Sequence, residues 1–213
     1  MTTGSKTGGL WLRWGALALL LPTLGACSPT GMAITAASTA GLAAVQERGF
    51  LATIDDTALK GRIAEAFLMA SEAIFLAVTI RVHEGRVLLV GALDDPGLRA
   101  RAVELARAQT GVRAVIDELQ AGEGSIADYA RDAWITAQVN AKFTFDLEIY
   151  AVNYTVDTIG RVVYLMGIAE DQRELDRAVD HARGLRYVKK VISHVMLKDD
   201  PRRARNVANG ERG

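Results

Sequence analysis

Val78-Thr79-Ile80-Arg81-Val82, His83-Glu84-Gly85-Arg86 and Val87-Leu88-Leu89-Val90-Gly91 read in succession as an apolar alternating run, a turn and a second apolar run. Period-2 patterning on both sides of a short polar loop predicts a β-hairpin, with Gly85 supplying the turn. The same chemistry returns 76 positions on, where Val78 matches Tyr154, Ile80 matches Val156 and Gly91 matches Gly167. Working outward in both directions, the offset holds without a gap. It pairs Asp56 with Asp132, Leu59 with Ile135, Ile63 with Val139 and Phe67 with Phe143 on one side. On the other it pairs Ala102 with Ala178, Val103 with Val179, Ala106 with Ala182, Val112 with Val188, Val115 with Val191 and Leu119 with Val195. A register this long signals tandem domains and not a solenoid of short units.

Each copy carries the same succession of elements. Asp55-Asp56 reads as a helix cap, followed by Leu59, Ile63 and Phe67 at four-residue spacing, which places them on one face. The corresponding face in the second copy is Ile135, Val139 and Phe143. After the hairpin, Asp94-Asp95-Pro96 starts a second helix whose stripe Leu98, Ala102, Leu105 and Ala106 faces inward, and Gly111 ends it. A strand from Val112 to Leu119 completes the unit. The expected fold class is α+β: two helix-strand-strand-helix-strand units, each with its helices packed on a small three-stranded mixed sheet. The second copy departs twice. Its turn glycine comes one place early, at Gly160, with Arg161 at the Gly85 position, and Tyr187 stands where Gly111 would be. A shifted turn type or a bulge is expected there, with Asn153 or Gly184 taking over the backbone role of the missing glycine.

The motif Gly85-Arg86-Val87-Leu88-Leu89-Val90-Gly91, a helix, then Gly111-Val112-Arg113-Ala114-Val115 resembles the BON domain, a small bacterial envelope module. Its second-copy counterpart is Val163-Tyr164-Leu165-Met166-Gly167 followed by Val188-Lys189-Lys190-Val191. The expected organisation is a signal peptide at 1–26, an acylated Cys27 with a tether to 54, BON domains at 55–121 and 125–197, and a basic tail at 198–213.

The amino terminus sets the compartment. Lys6 and Arg13 precede the apolar run Gly15 to Leu21, which is too short to span a bilayer comfortably, and Leu24-Gly25-Ala26-Cys27 closes it. This resembles a bacterial lipobox, which implies cleavage before Cys27 and diacylation of its sulfur, since two chains anchor stably where one does not. Ser28 in place of an Asp implies transport to the outer membrane, facing the periplasm.

Composition limits what the anchored part does. The chain has 25 Lys+Arg and 25 Asp+Glu. Loss of Lys6 and Arg13 with the signal leaves a nearly neutral protein, with no general basic field for nucleic acid. Cys27 is the single cysteine, so no disulfide is available and the domains hold by core packing alone. Neither cofactor nor metal site is expected, nor a small-molecule substrate. His83 falls in a hairpin turn, His181 on a helix and His194 in a strand, with no zinc-binding spacing between them, and each reads as a surface or strand polar residue. Glu170, Asp171, Glu174 and Asp176 read as a solvated helix start, neutralised by Arg173 and Arg177. Ala121-Gly122-Glu123-Gly124 reads as linker.

What remains is a binding surface on the first helix of the second copy. Trp134 lies one position off the core stripe, beside Ala130, Ala137 and Ala141, and forms an apolar ledge carrying an N–H donor, which suits a lipid headgroup boundary. Arg131 and Lys142 flank it, and Phe145, Ile149 and Tyr150 extend the patch. The first copy has Ala58 at this position. The alternative places Trp134 in a groove between the domains. The resemblance to dual-BON lipoproteins favours contact with an anionic phospholipid membrane through Trp134, Arg131, Gln138, Ala141, Lys142 and Phe145. The rival partners are outer-membrane assembly proteins.

Overall fold

A computed structural model describes residues 50–122 and 126–203. The expected signal peptide, Cys27, tether residues 28–49, Glu123-Gly124 of the linker and Arg205 of the tail lie outside the described residues. The first domain runs α1 (Phe50–Ala70), α2 (Glu72–Ala77), β1 (Val78–His83), β2 (Arg86–Ala92), α3 (Pro96–Arg107) and β3 (Ala114–Gln120). The second runs α4 (Ile126–Phe145), a 3-10 turn (Ala151–Asn153), β4 (Tyr154–Ile159), β5 (Val162–Ala169), α5 (Gln172–Arg183), β6 (Lys190–Ser193) and β7 (Met196–Leu197). In each, the hairpin strands are antiparallel and the central strand pairs in parallel with the strand after the second helix, so both sheets are mixed. The second sheet gains β7, parallel to the far end of β5.

The stripes read from periodicity are the two cores. Leu59, Ile63 and Phe67 pack with Val87, Leu89, Ala102 and Ala106; Ile135, Val139 and Phe143 pack with Val163, Leu165, Ala178 and Ala182. Full burial of a side chain of this size contributes about 1.5–3 kcal/mol. Gly91 and Gly167 are required by close approach. A Cβ at Gly91 would overlap the carbonyl of Ala77, and one at Gly167 that of Asn153, where the chain enters the first strand.

Several local expectations are corrected. Asp56 does not begin a helix, because α1 starts at Phe50, within the expected tether. Its carboxylate instead accepts hydrogen bonds from the turn amides of Glu84 and Gly85, at 2.8 and 2.9 Å. Asp132 does the same for Gly160 and Arg161, at 2.7 and 2.9 Å. Both turns have two central residues at positive φ, Glu84 (52°) and Gly85 (72°), Gly160 (58°) and Arg161 (67°), the signature of a type I′ turn. No shift or bulge separates them; the glycine has moved from the second central position to the first within one turn type. Tyr187 itself adopts φ 75°, matching Gly111 at 94°, whereas Gly184 has φ −73°, so neither Gly184 nor Asn153 substitutes. His83 is the last residue of β1 and is buried, and Glu174 is buried as well, accepting from the amides of Tyr150 and Glu170.

The two sheets meet face to face. Leu88 and Val90 of β2 point away from their own helices into a third cluster with Tyr164 and Met166, bordered by Ile116, Ile159, Val162 and Ile192. Equivalent positions oppose each other across this contact. Arg81 forms a two-pronged ion pair with Asp157, 76 positions on, with both contacts at 2.7 Å, and Glu118 meets His194 at 2.9 Å. The domains are therefore related by an approximate two-fold axis through the cluster, on which single repeat positions have diverged into complementary partners. Gln120 donates to the Tyr164 hydroxyl at 2.6 Å, and Arg86 to the His194 carbonyl at 3.0 Å. The beginning of the tail is held too: Arg203 pairs with Glu84 of the first domain's turn at 2.8 Å, both side chains nearly buried.

Removing the turn acceptor in Asp132→Ala leaves two amides without it, and a loss of about 1–3 kcal/mol in urea unfolding is expected. Arg81→Asp, which opposes two carboxylates across the contact, costs about 1–3 kcal/mol, since the pair is only partly exposed. Adding Asp157→Arg to it recovers most of that loss in the same titration.

Candidate functional site

Helical spacing places Arg131, Trp134, Gln138, Ala141, Lys142 and Phe145 along one side of α4, next to the buried row Asp132, Ile135, Val139 and Phe143. Trp134 is 43% exposed. It is not buried between the domains, because that contact is closed by the sheet faces and contains no tryptophan. Gln138 and Ala141 are half-buried, Lys142 is exposed, and Phe145 ends the row at 85% exposure. Of the expected apolar extension, Tyr150 is exposed, whereas Ile149 turns inward and joins the core.

Trp134 meets the loop between α5 and β6. Its ring forms a T-shaped pair with Tyr187, centroids 6.0 Å apart and planes at 73°. The Arg186 guanidinium lies 4.5 Å from the Tyr187 centroid and that of Arg131 lies 5.9 Å away. Arg131 also pairs with Asp128 one helical turn back, at 2.9 Å. The result is an aromatic wedge of two rings with two guanidiniums against the Tyr187 ring. Its chemistry suits a boundary between apolar and anionic material: the rings exclude water and the arginines donate to phosphate or carboxylate oxygens.

Tyr187 is the residue that periodicity missed. The mismatch with Gly111 was visible, but it read as a missing glycine and not as an added aromatic. A bulky residue in the left-handed region costs about 1–3 kcal/mol. The T-shaped pair returns about 0.5–1.5 kcal/mol and an exposed cation–π contact about 0.5–1 kcal/mol. These terms roughly cancel, so the aromatic does little for stability that glycine would not. The first domain solves the same corner differently. There Arg62, equivalent to Gln138, reaches over to the Thr110 carbonyl at 2.9 Å and closes on Gly111.

At the far end of α4, Asp146 is pinned between Arg177 Nε and His181 Nε2, both at 2.6 Å. The Arg177 and His181 hydrogen bonds hold its carboxyl well below the ordinary carboxylate range. Phe145 and Leu147, 98% exposed, thus project on either side of an anchored residue. Among the described residues, no group of three His, Cys, Asp or Glu is placed to hold a metal ion, and no helix is long and apolar enough to cross a membrane.

Comparison with known proteins gives the family. The BON domain matches residues 55–123 and again 131–199. The chain belongs to the BON-domain family, as a tandem member. It is 40% identical over 147 residues to an uncharacterized protein in the gshII 5′ region of Anaplasma centrale, an alignment covering 68% of this chain and 96% of that one. It is 28% identical over 148 residues to Osmotically-inducible protein Y of Escherichia coli, covering 68% and 74%. To Outer membrane lipoprotein DolP of Haemophilus influenzae it is 33% identical over 111 residues, covering 52% of this chain and 57% of the relative.

Trp11 and Trp14 lie in the expected signal, so Trp134 is the sole tryptophan from residue 28 onward and reports on the wedge. Acrylamide is expected to quench its fluorescence in the free protein, and Tyr187→Gly to raise the quenching constant by uncovering one edge of the indole.

Proposed function

We propose that this chain is a lipid-anchored envelope protein whose second BON domain binds anionic phospholipid through α4. The carrying observation is Trp134, a half-exposed indole on a helix face that runs from Arg131 to Lys142 and Phe145, in edge contact with a second aromatic that has guanidiniums beside it. An indole at this exposure fits the headgroup level of a bilayer, where its ring is partly dehydrated and its N–H finds an acceptor. The cations meet the surface potential of anionic lipid. The similarity to DolP, an outer membrane lipoprotein in Haemophilus influenzae, supports the compartment, and the Leu24 to Cys27 motif supports acylation at Cys27.

The reading is one of binding and not of catalysis. A tethered domain sees the membrane at an effective concentration of the order of millimolar, so a weak headgroup contact is populated. The first domain braces the second through the sheet-to-sheet contact, and the pair supports envelope integrity by holding an anionic lipid surface. A second reading, favoured by the exposed Leu68, Met69 and Leu76 of the first domain, gives that domain a protein partner in envelope assembly.

The test is an NMR titration of residues 28–213 with phosphatidylglycerol micelles and with zwitterionic micelles. Shifts on α4, centred on Trp134 and appearing only with the anionic lipid, are expected. Trp134→Ala is expected to lower affinity for phosphatidylglycerol vesicles by about tenfold, the value of one buried aromatic contact after partial exposure is discounted. Equal shifts with both micelles, or none, would end this reading.

A further inference from the structure

The loop between α5 and β6 differs from its counterpart in the first domain in a way the fold does not require. From the last residue of α5 to the first of β6, residues 183–190 read Arg-Gly-Leu-Arg-Tyr-Val-Lys-Lys, four cations and no acidic residue, where residues 107–114 read Arg-Ala-Gln-Thr-Gly-Val-Arg-Ala. Arg186 replaces Thr110, Tyr187 replaces Gly111 and Lys190 replaces Ala114. Arg183, Arg186, Lys189 and Lys190 are all exposed, and none forms an ion pair among the described residues. The Lys189 amide donates to the Arg161 carbonyl at 2.9 Å, as Arg113 does to Gly85 at 2.8 Å, so the loop keeps its backbone anchorage while its side chains have changed.

Two observations indicate a ligand for this loop. Tyr187 holds φ 75°, a conformation that glycine at the same place in the first domain adopts without a Cβ, and it directs its ring onto Trp134. Strain of this kind concentrates where a side chain is held for use. The charge that the loop brings to the aromatic pair is positive throughout and without an ion-pair partner among the described residues, so the complementary surface is anionic.

We propose that the α5–β6 loop is the second half of the membrane-binding surface, with Tyr187 propping Trp134 into the headgroup layer and Arg186, Lys189 and Lys190 receiving lipid phosphates. This rests on the α4 reading and adds to it: the occupant is the surface of an anionic phospholipid bilayer, held across the α4 edge and the loop together. Selectivity for anionic over zwitterionic lipid comes from the loop, because α4 itself contributes Arg131, already paired with Asp128, and Lys142.

The experiment is co-sedimentation of residues 28–213, which hold both domains entire, with vesicles of phosphatidylglycerol and phosphatidylethanolamine and with vesicles of phosphatidylcholine alone. Thermal unfolding is recorded on every variant. Arg186→Glu with Lys189→Glu is expected to lower partition onto the anionic vesicles at least tenfold, erase the preference over phosphatidylcholine and flatten the salt dependence. Tyr187→Gly is expected to weaken partition severalfold while its unfolding midpoint stays level or rises. Arg107→Glu with Lys60→Glu, on exposed positions of α3 and α1, makes the same change in net charge and is expected to bind like the wild type. Wild-type binding by the charge-reversal pair, alongside loss in Trp134→Ala, would overturn the loop and leave the α4 reading standing. Absence of anionic binding by the wild type itself would remove both. The charge-reversal pair removes no core packing, so it decides the matter even where Tyr187→Gly unfolds.

Discussion

A buried carboxylate under a hairpin turn holds each domain in shape. Asp56 and Asp132 each take two amides that the strand ladder leaves over, and in doing so tie the first helix to the tip of the hairpin. A carboxylate accepting two backbone N–H groups makes charge-assisted bonds, stronger than neutral ones. Helix and hairpin are thereby locked in rotation as well as position, so the residues beside the aspartate point in a fixed direction. In the second domain, Trp134 is two residues beyond Asp132, and the constraint that closes the turn also aims the indole.

The duplicated unit has been used asymmetrically. Where the sheets face each other, equivalent positions have become complementary: arginine against aspartate, glutamate against histidine, leucine and valine against tyrosine and methionine. A self-complementary face has been converted into a specific one, which keeps the domains paired and buries a second apolar face on β2 and β5. On the outside, one copy keeps small residues and the other carries an aromatic wedge with basic residues around it. The inner divergence produces rigidity, and the outer one produces a binding surface. Because the sheets dock through their faces, the helical side bearing Trp134 stays open to solvent.

The core and the repeat were legible in the sequence because they depend on periodicity, and burial of alternate or every fourth apolar residue leaves a trace in one dimension. Leu59, Ile63, Phe67 and their partners needed no structure to be assigned. The α4 row from Arg131 to Phe145 was also legible, since helical spacing converts position into face. Tyr187 was not, because its contact with Trp134 joins residues more than fifty positions apart through a loop with no period. Ile149 was assigned to the surface for the same reason: it follows the helix, and only the path of the chain into the 3-10 turn brings it back over the core. Asp56 looked like a cap because local chemistry favours that role, and the hairpin turn that claims its carboxylate is nearly thirty residues away.

The sequence by itself determined the number of domains, the helix-strand-strand-helix-strand order they share, the mixed α+β class and the position of the core, all set by hydrophobic spacing that acts along the chain. Only the tertiary structure decided how the two sheets meet, which side of α4 remains open, and that a tyrosine in a glycine's conformation stands against Trp134. Those features depend on side chains that are distant in sequence finding one another, and no local propensity encodes the distance between them.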